Sequence, residues 1–285
     1  MINNFEFMQP RDVPDVLAAL TEKGRIVPLA GGTNILVNMK RTPLQADLIV
    51  DLSRLDALDS ISDNEESIRL GAGVTFARLL EWDPGGAVEG LMRPMCIAFA
   101  GPLIRNLATI GGNICDASAA ADASPPLLAL DANVELESAA DGPRTMPLSE
   151  FFEGVRKTAR REDELLTGIT FTRPDDDERW FYYKLGKRKA DAISIVSVAM
   201  TVKLVQDRVE RARIALGAVA PVAIRATTAE AMLKGEPLNE STIAAAAAAA
   251  ALESRPIDDF RASGDYRRRM VEVLVKRGLK EVACR

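Results

Sequence analysis

The chain has 285 residues, of which 47% are hydrophobic and 27% charged, with three cysteines, no histidine and a formal net charge of −5. That length buries a substantial core and predicts two domains, or one large domain with an appended one. The composition excludes a disordered or collagen-like chain, the missing histidine excludes Ser-His, Cys-His and His-metal chemistry, and the acidic balance argues against nucleic acid as the main partner.

The opening MINNFEFMQPRD has neither the basic start nor the apolar run of a signal peptide, and no later stretch reaches the length of a membrane span, so the cytoplasm is the expected compartment. After Pro10, Val13–Leu20 reads as a helix. Arg25–Ala30 reads as a strand entering the double glycine of LAGGTNIL, residues 29–36. Asp47–Leu52 is a second short apolar strand, and Ser67–Leu70 a third, leading through GAGVTF into a helix over Phe76–Trp82. This alternation is an α/β or α+β pattern. Pro94–Ala100 reads as an apolar helix before a second double glycine, TIGGNI at 109–114, and the small residues Ala117–Ala123 then run up to Pro125 and Pro126.

Apolar structure resumes over Leu127–Leu136, and Leu165–Phe171 is a strand stopped by Arg173-Pro-Asp-Asp-Asp177, a polar, proline-bearing break that suits a domain boundary. Beyond it, Ile193–Leu204 and Arg211–Ala218 read as strands. Asn239 or Ser241 caps a helix built on Ala244–Ala251. In YRRRMVEVLVKRGL, residues 266–279, Met270, Val271, Leu274 and Val275 recur at helical spacing, which puts Arg267–Arg269 on a solvated basic face. Cys96, Cys115 and Cys284 are odd in number and form no CxxC pair, against a disulfide framework, a zinc site or a self-contained iron–sulfur cluster.

The glycine turns carry the chemistry. Glycine takes positive φ at little cost and lets successive backbone N–H groups converge into an anion nest. In the first turn Thr33 adds a hydroxyl donor and Asn34 an amide donor, a set suited to a diphosphate, whose oxygens only accept. The second turn offers Thr109, Gly111, Gly112 and Asn113 in the same style. Either pair alone reads first as a tight turn; two such pairs, with Thr and Asn at hand, shift the reading toward one shared ligand. GAGVTF has Phe76 where a GxGxxG dinucleotide fingerprint ends in glycine, and the phosphate loop GxxxxGK[ST] is absent, so a nicotinamide Rossmann site is not expected.

AGGTNILVNMK (30–40), DLIVDLSRLDAL (47–58), IRLGAGVTFARLLE (68–81), IRNLATIGGNICDASAAADASPPLLALDANVEL (104–136) and YYKLGKRKADAISIV (182–196), in that order, resemble the FAD-binding medium subunit of the molybdenum hydroxylases, the group of xanthine dehydrogenase and carbon monoxide dehydrogenase. The likeness covers nearly the whole chain, and its central run is specific. It implies an α+β chain. An FAD domain of the vanillyl-alcohol oxidase and p-cresol methylhydroxylase type would span 1–173, with subdomains about 1–52 and 53–173, followed by a smaller C-terminal domain of antiparallel sheet and helices at 178–285.

By that resemblance Ala30, Gly31, Gly32, Thr33 and Asn34, with Ile35 beside them, form a first wrap around the FAD diphosphate, and Thr109, Gly111, Gly112 and Asn113 a second. Asp122 matches an aspartate near the ribityl and ribose hydroxyls, and Asp116 falls where the family has a small polar residue near the cofactor. Phe99 and Leu165 match residues near the flavin. Lys184 matches a lysine at its pyrimidine edge, where a positive charge stabilises the anionic reduced ring. Core packing for Phe99, a turn role for Asp122 and a solvated strand end for Lys184 are the structural alternatives. The chain departs from the family's usual ASPAAD with Ala119 in place of its proline.

With no nucleophile–base pair and no metal cluster in view, the chemistry belongs to a cofactor. The resemblance implies electron transfer. A large molybdenum-cofactor subunit hydroxylates the substrate, a small 2Fe-2S subunit relays electrons to this FAD, and an acceptor such as NAD receives them. The basic loop Lys184–Asp191 either attracts and gates that acceptor or is a solvated hairpin. The rival readings are a self-contained FAD-dependent oxidase or reductase and a non-catalytic scaffold retaining the fold.

Overall fold

The computed structural model describes residues 5–39, 42, 45–188 and 191–284, so the Lys184–Asp191 loop lies within it except at positions 189 and 190, and Lys40 of the first resemblance run falls outside. Strand β1 (Glu6–Met8), helix α1 (Val13–Leu20), β2 (Ile26–Leu29), α2 (Ile35–Met39) and β3 (Leu48–Asp51) form the first unit. Its strands are parallel in the order β1-β3-β2. Asp12 caps α1 by accepting from the Asp15 N–H, Pro14 sits in the first turn where its missing donor costs nothing, and Val16, Leu17, Ala19 and Leu20 face inward. They meet Val50, Leu55, Leu58 and Leu165 in a small core that joins this unit to the next.

The second unit runs through β4 (Ile61–Asp63), β5 (Ser67–Gly71), α3 (Phe76–Glu81), α4 (Gly86–Ala98), α5 (Pro102–Arg105), α6 (Ile110–Cys115), α7 (Ser124–Ala129), β6 (Asn133–Ser138), β7 (Gly142–Pro147), α8 (Leu148–Phe151), β8 (Phe152–Gly154), β9 (Lys157–Thr158) and β10 (Glu164–Thr172). β10 is the middle of an antiparallel sheet ordered β4-β5-β10-β6-β7. Helix α4 starts well before the expected Pro94: it begins at Gly86 with Gly85 as its cap, both at positive φ, and carries Pro94 inside it. The proline removes the bond to the Gly90 carbonyl. Trp180 packs directly onto Gly90, where an added Cβ would lie 1.7 Å from its Nε1.

The third unit holds β11 (Arg179–Leu185), β12 (Val196–Val205), β13 (Arg208–Gly217), β14 (Ile224–Arg225), α9 (Thr227–Leu233), α10 (Glu240–Glu253) and α11 (Gly264–Ala283), with its strands antiparallel in sequence order. Asn239 caps α10 in a capping box with Thr242, so of the two expected caps Asn239 is used. The helix α11 buries Val271, Leu274 and Val275. Its basic run is not all solvated: Arg267 is 1% exposed, paired with Asp259 and donating to the Ala218 carbonyl. The Asp259 carboxyl is held well below its usual range by hydrogen bonds from Arg261 and by the nearby arginines.

Strand β11 belongs to two cores. Trp180 and Tyr182 pack on the core of the second unit, while Phe181, Tyr183 and Leu185 pack on that of the third. The period of two in a strand makes this alternation possible.

Candidate functional site

The first turn leaves β2 and enters α2. Gly32 sits at φ +67, a left-handed conformation that disfavours a side chain. Gly31 has ordinary φ but no room: an added Cβ would lie 1.7 Å from the Leu107 carbonyl oxygen. Leu107 immediately precedes the second turn, so the two turns touch through their main chains. The backbone N–H groups of Gly31, Gly32, Thr33 and Asn34 find no acceptor among the described residues, and neither does the Thr33 hydroxyl. Such a run of unspent donors is what an anion nest requires. The Asn34 side chain is engaged, donating its amide to the Asp116 carboxylate.

The second turn is built differently. Thr109 caps α6 by accepting from the Gly112 N–H at 3.1 Å. The N–H of Ile110 donates to the Val74 carbonyl at 2.9 Å, that of Gly111 to Ala72 at 2.9 Å and that of Asn113 to Thr109 at 3.0 Å. Its amides are therefore used within the fold, and the symmetric picture of two equal donor sets gives way to an unequal one. What this turn exposes is the Gly112 face, where an added Cβ would meet only the Thr109 hydroxyl, and the Asn113 side chain. Asn113 accepts from the Ala123 N–H at 3.2 Å through Oδ1 while its amide nitrogen has no partner among the described residues. Gly111 is buried, and its Cβ would strike Ala72 at 2.6 Å.

A cavity of about 140 Å³ opens between the turns, lined by Ala30, Gly111, Gly112, Leu165, Cys115 and Arg160 among others. It is smaller than the roughly 300–1,000 Å³ that encloses a whole drug-sized ligand. Burial pushes the Cys115 thiol up to about 11, which leaves it neutral.

Of the remaining expected residues, Asp122 and Lys184 lie where the second and third units meet. Phe99 ends α4 and stacks on Phe76, ring centroids 3.8 Å apart. Arg105 donates to the Phe99 and Ala100 carbonyls at 2.9 and 2.8 Å, fixing that chain end. Asp122 and Lys184 are brought together rather than presented as separate charges. The lysine Nζ donates to Asp122 at 2.9 Å and to the Ala98 carbonyl at 3.0 Å, and Ser194 adds its hydroxyl at 3.1 Å. Burial pushes the Asp122 carboxyl up and Lys184 opposes that shift. Beside them the Tyr182 hydroxyl is buried without a partner among the described residues, and burial raises it well above its ordinary range. Ile35 opens α2 half-buried, and Leu165 is buried in β10. The basic loop is tied down where described: Lys187 donates to the Phe260 carbonyl and Arg188 to the Asp191 carbonyl.

Sequence reasoning passed over Arg156, Arg160 and Ser194. Arg156 turns the β8–β9 hairpin and Arg160 follows it, with no motif to mark either, and Ser194 lies just before β12, where only the fold brings it to Asp122.

These geometries can be set beside known proteins. Residues 3–174 match the family described as the FAD binding domain in molybdopterin dehydrogenase, and residues 181–282 the CO dehydrogenase flavoprotein C-terminal domain. The xanthine dehydrogenase FAD-binding subunit of Escherichia coli O157:H7 is 31% identical over 275 residues, 95% of this chain and 93% of the relative. The carbon monoxide dehydrogenase medium chain of Hydrogenophaga pseudoflava is 30% identical over 282 residues, 99% of this chain and 98% of the relative. A solved carbon monoxide dehydrogenase from that organism superposes with a TM-score of 0.93 over 100% of this chain and 99% of its own at 30% identity. Quinoline 2-oxidoreductase from Pseudomonas putida 86 superposes with a TM-score of 0.90 at 27% identity, covering 100% and 98%.

Proposed function

The chain belongs to the family of FAD-binding medium subunits of xanthine dehydrogenase and carbon monoxide dehydrogenase type molybdenum hydroxylases, and from that premise we propose that it accepts electrons from a 2Fe-2S partner subunit and passes them to an external acceptor such as NAD. It is thus an oxidoreductase subunit and a flavoprotein, one member of a complex whose large subunit holds the molybdenum cofactor and whose small subunit holds the iron–sulfur clusters. No helix among the described residues is long and apolar enough to cross a membrane.

The observation that carries the reading is the run of unspent N–H groups from Gly31 to Asn34, held by main-chain contact against the second glycine turn. In the proposed site Gly31, Gly32, Thr33 and Asn34 donate to the diphosphate, with Ala30 and Ile35 shaping the entry and exit of the turn. Gly112 offers a bare backbone face and Asn113 a free amide from the opposite side, while Thr109 and Gly111 hold that turn in shape. Leu165 lines the cavity between the turns, and Phe99 bounds the site near the flavin. Bound FAD supplies a redox centre able to exchange electrons singly or in pairs.

Asp122 and Lys184 serve this site as a neutral, buried pair. The carboxylate remains available to ligand hydroxyls on its unbonded lone pairs, and the pair lies at the seam between the 1–173 and 178–285 portions that we assign as domains. The test is spectroscopic and kinetic. The purified complex should show a flavin absorbance band that is bleached by the hydroxylase substrate under anaerobic conditions and restored by NAD. Bleaching that NAD or any other two-electron acceptor fails to reverse would remove the electron-transfer role, and substrate turnover by this chain alone would favour a self-contained enzyme.

A further inference from the structure

The first glycine turn has a fixed negative neighbour. One oxygen of Asp116, Oδ1, accepts both from the Asn34 side chain and from the Arg156 guanidinium. Asp116 is 24% exposed and Arg156 49%. Arg156 stands at the turn between β8 and β9, at φ +58, where glycine or asparagine would sit with less strain. Its N–H donates to the Ala117 carbonyl at 3.1 Å, which fastens the hairpin to the residue after Asp116. Burial pushes the Asp116 carboxyl up, and Arg156 and then Asn34 pull it back toward the charged form. Arg160, the other cation nearby, donates to the Arg161 and Glu164 carbonyls through Nη1 and lines the cavity rather than touching Asp116.

A diphosphate arriving at the Gly31–Asn34 backbone amides therefore meets a carboxylate held beside them through the Asn34 side chain. Like charges this close repel unless one is compensated. We propose that Arg156 is a positioning residue of the diphosphate site: by neutralising Asp116 against the first glycine turn, it allows that turn to take an anion. The inference rests on the FAD reading above. It assigns the β8–β9 hairpin a role in cofactor binding and makes affinity for FAD depend on a charge that touches the turn only through Asp116.

The test is titration of the deflavinated complex with FAD at low and high salt, alongside thermal unfolding of each variant. Arg156→Gln should weaken binding about tenfold or more, the scale of one charge-assisted hydrogen bond, and should lessen the dependence on salt. Arg156→Lys should retain part of the affinity. Asp116→Asn alone should bind FAD at least as tightly as the wild type, and Asp116→Asn in the Arg156→Gln background should recover most of the loss. Unchanged affinity in Arg156→Gln, or no recovery in the double variant, overturns the proposal. Weakening in Asp116→Asn as large as that in Arg156→Gln also overturns it, because Asp116 would then be a direct ligand. Wild-type complex that takes up no FAD sinks the FAD reading itself, a result distinct from all of these.

Discussion

The two glycine turns share a sequence style and divide the work between them. The first spends its glycines on geometry and keeps its amides free: Gly31 lies against the Leu107 carbonyl, Gly32 takes positive φ, and four successive N–H groups have no acceptor among the described residues. The second commits its amides to Ala72, Val74 and its own capping threonine and offers instead a bare Gly112 and the Asn113 amide. A cradle of this kind has a soft donor side and a rigid wall. The rigid wall keeps the donors in place before any ligand arrives, which lowers the ordering cost of binding.

The largest expected effect attacks the contact between the turns. Gly31→Ala places a Cβ on the Leu107 oxygen, so the variant should lose more than about 4 kcal/mol or fail to fold, in the range reserved for severe overpacking; circular dichroism and urea denaturation decide. Wild-type stability in that variant would mean the turns are not in contact. Gly111→Val belongs to the same class, since its side chain would enter Ala72 and not the ligand's path.

Next comes the anchor behind the second turn. Lys184→Met leaves Asp122 buried without its cation and should cost roughly 3–5 kcal/mol near neutral pH, with Asp122→Asn in the same background restoring much of it. The sign with pH follows from the raised carboxyl. Its folded pKa lies above its unfolded value of about 3.9, so the folded state holds more protons in that window and stability falls as pH rises through it. The Lys184→Met deficit should therefore shrink in acid, and a deficit independent of pH in urea melts would argue that lost packing rather than the charge is responsible.

Gly112→Ala separates wall from cradle. The added methyl lies 2.9 Å from the capping Thr109 hydroxyl and displaces it, so the fold should lose no more than the roughly 1 kcal/mol of that cap while FAD affinity falls about tenfold. Equal FAD occupancy in the variant would show that no ligand approaches that face. The smallest effects sharpen the contrast further. Thr109→Ala should cost about 1 kcal/mol of stability as a lost helix cap, whereas Thr33→Ala should leave the melting temperature unchanged and lower FAD affinity only a few-fold.

Much of this was legible in the sequence where the signal is local. Capped or proline-started helices such as α1 and α10, and apolar runs such as β2, β3 and β10, lie close to where periodicity puts them. Helix α4 was shortened in the reading because Pro94 reads as a start when it is an interior residue, tolerated where Trp180 covers Gly90. Arg267 reads as solvated because its partner Asp259 precedes the helix in a loop. The inequality of the glycine turns is not written in either turn: it depends on Ala72 and Val74 arriving from some forty positions upstream. The pairing of Asp122 with Lys184, 62 residues apart, is likewise a product of the assembled fold. The resemblance points to both residues, and the fold makes them hold each other.

Strand β11 faces two ways, and this bears on how the protein comes apart. Stripping the C-terminal portion away would leave Gly90 and its surroundings without the indole and phenol that cover them, a sticky apolar scar. Shortened versions ending near position 173 should therefore aggregate, and the intact chain should melt in one step, with neither half available as an interchangeable module.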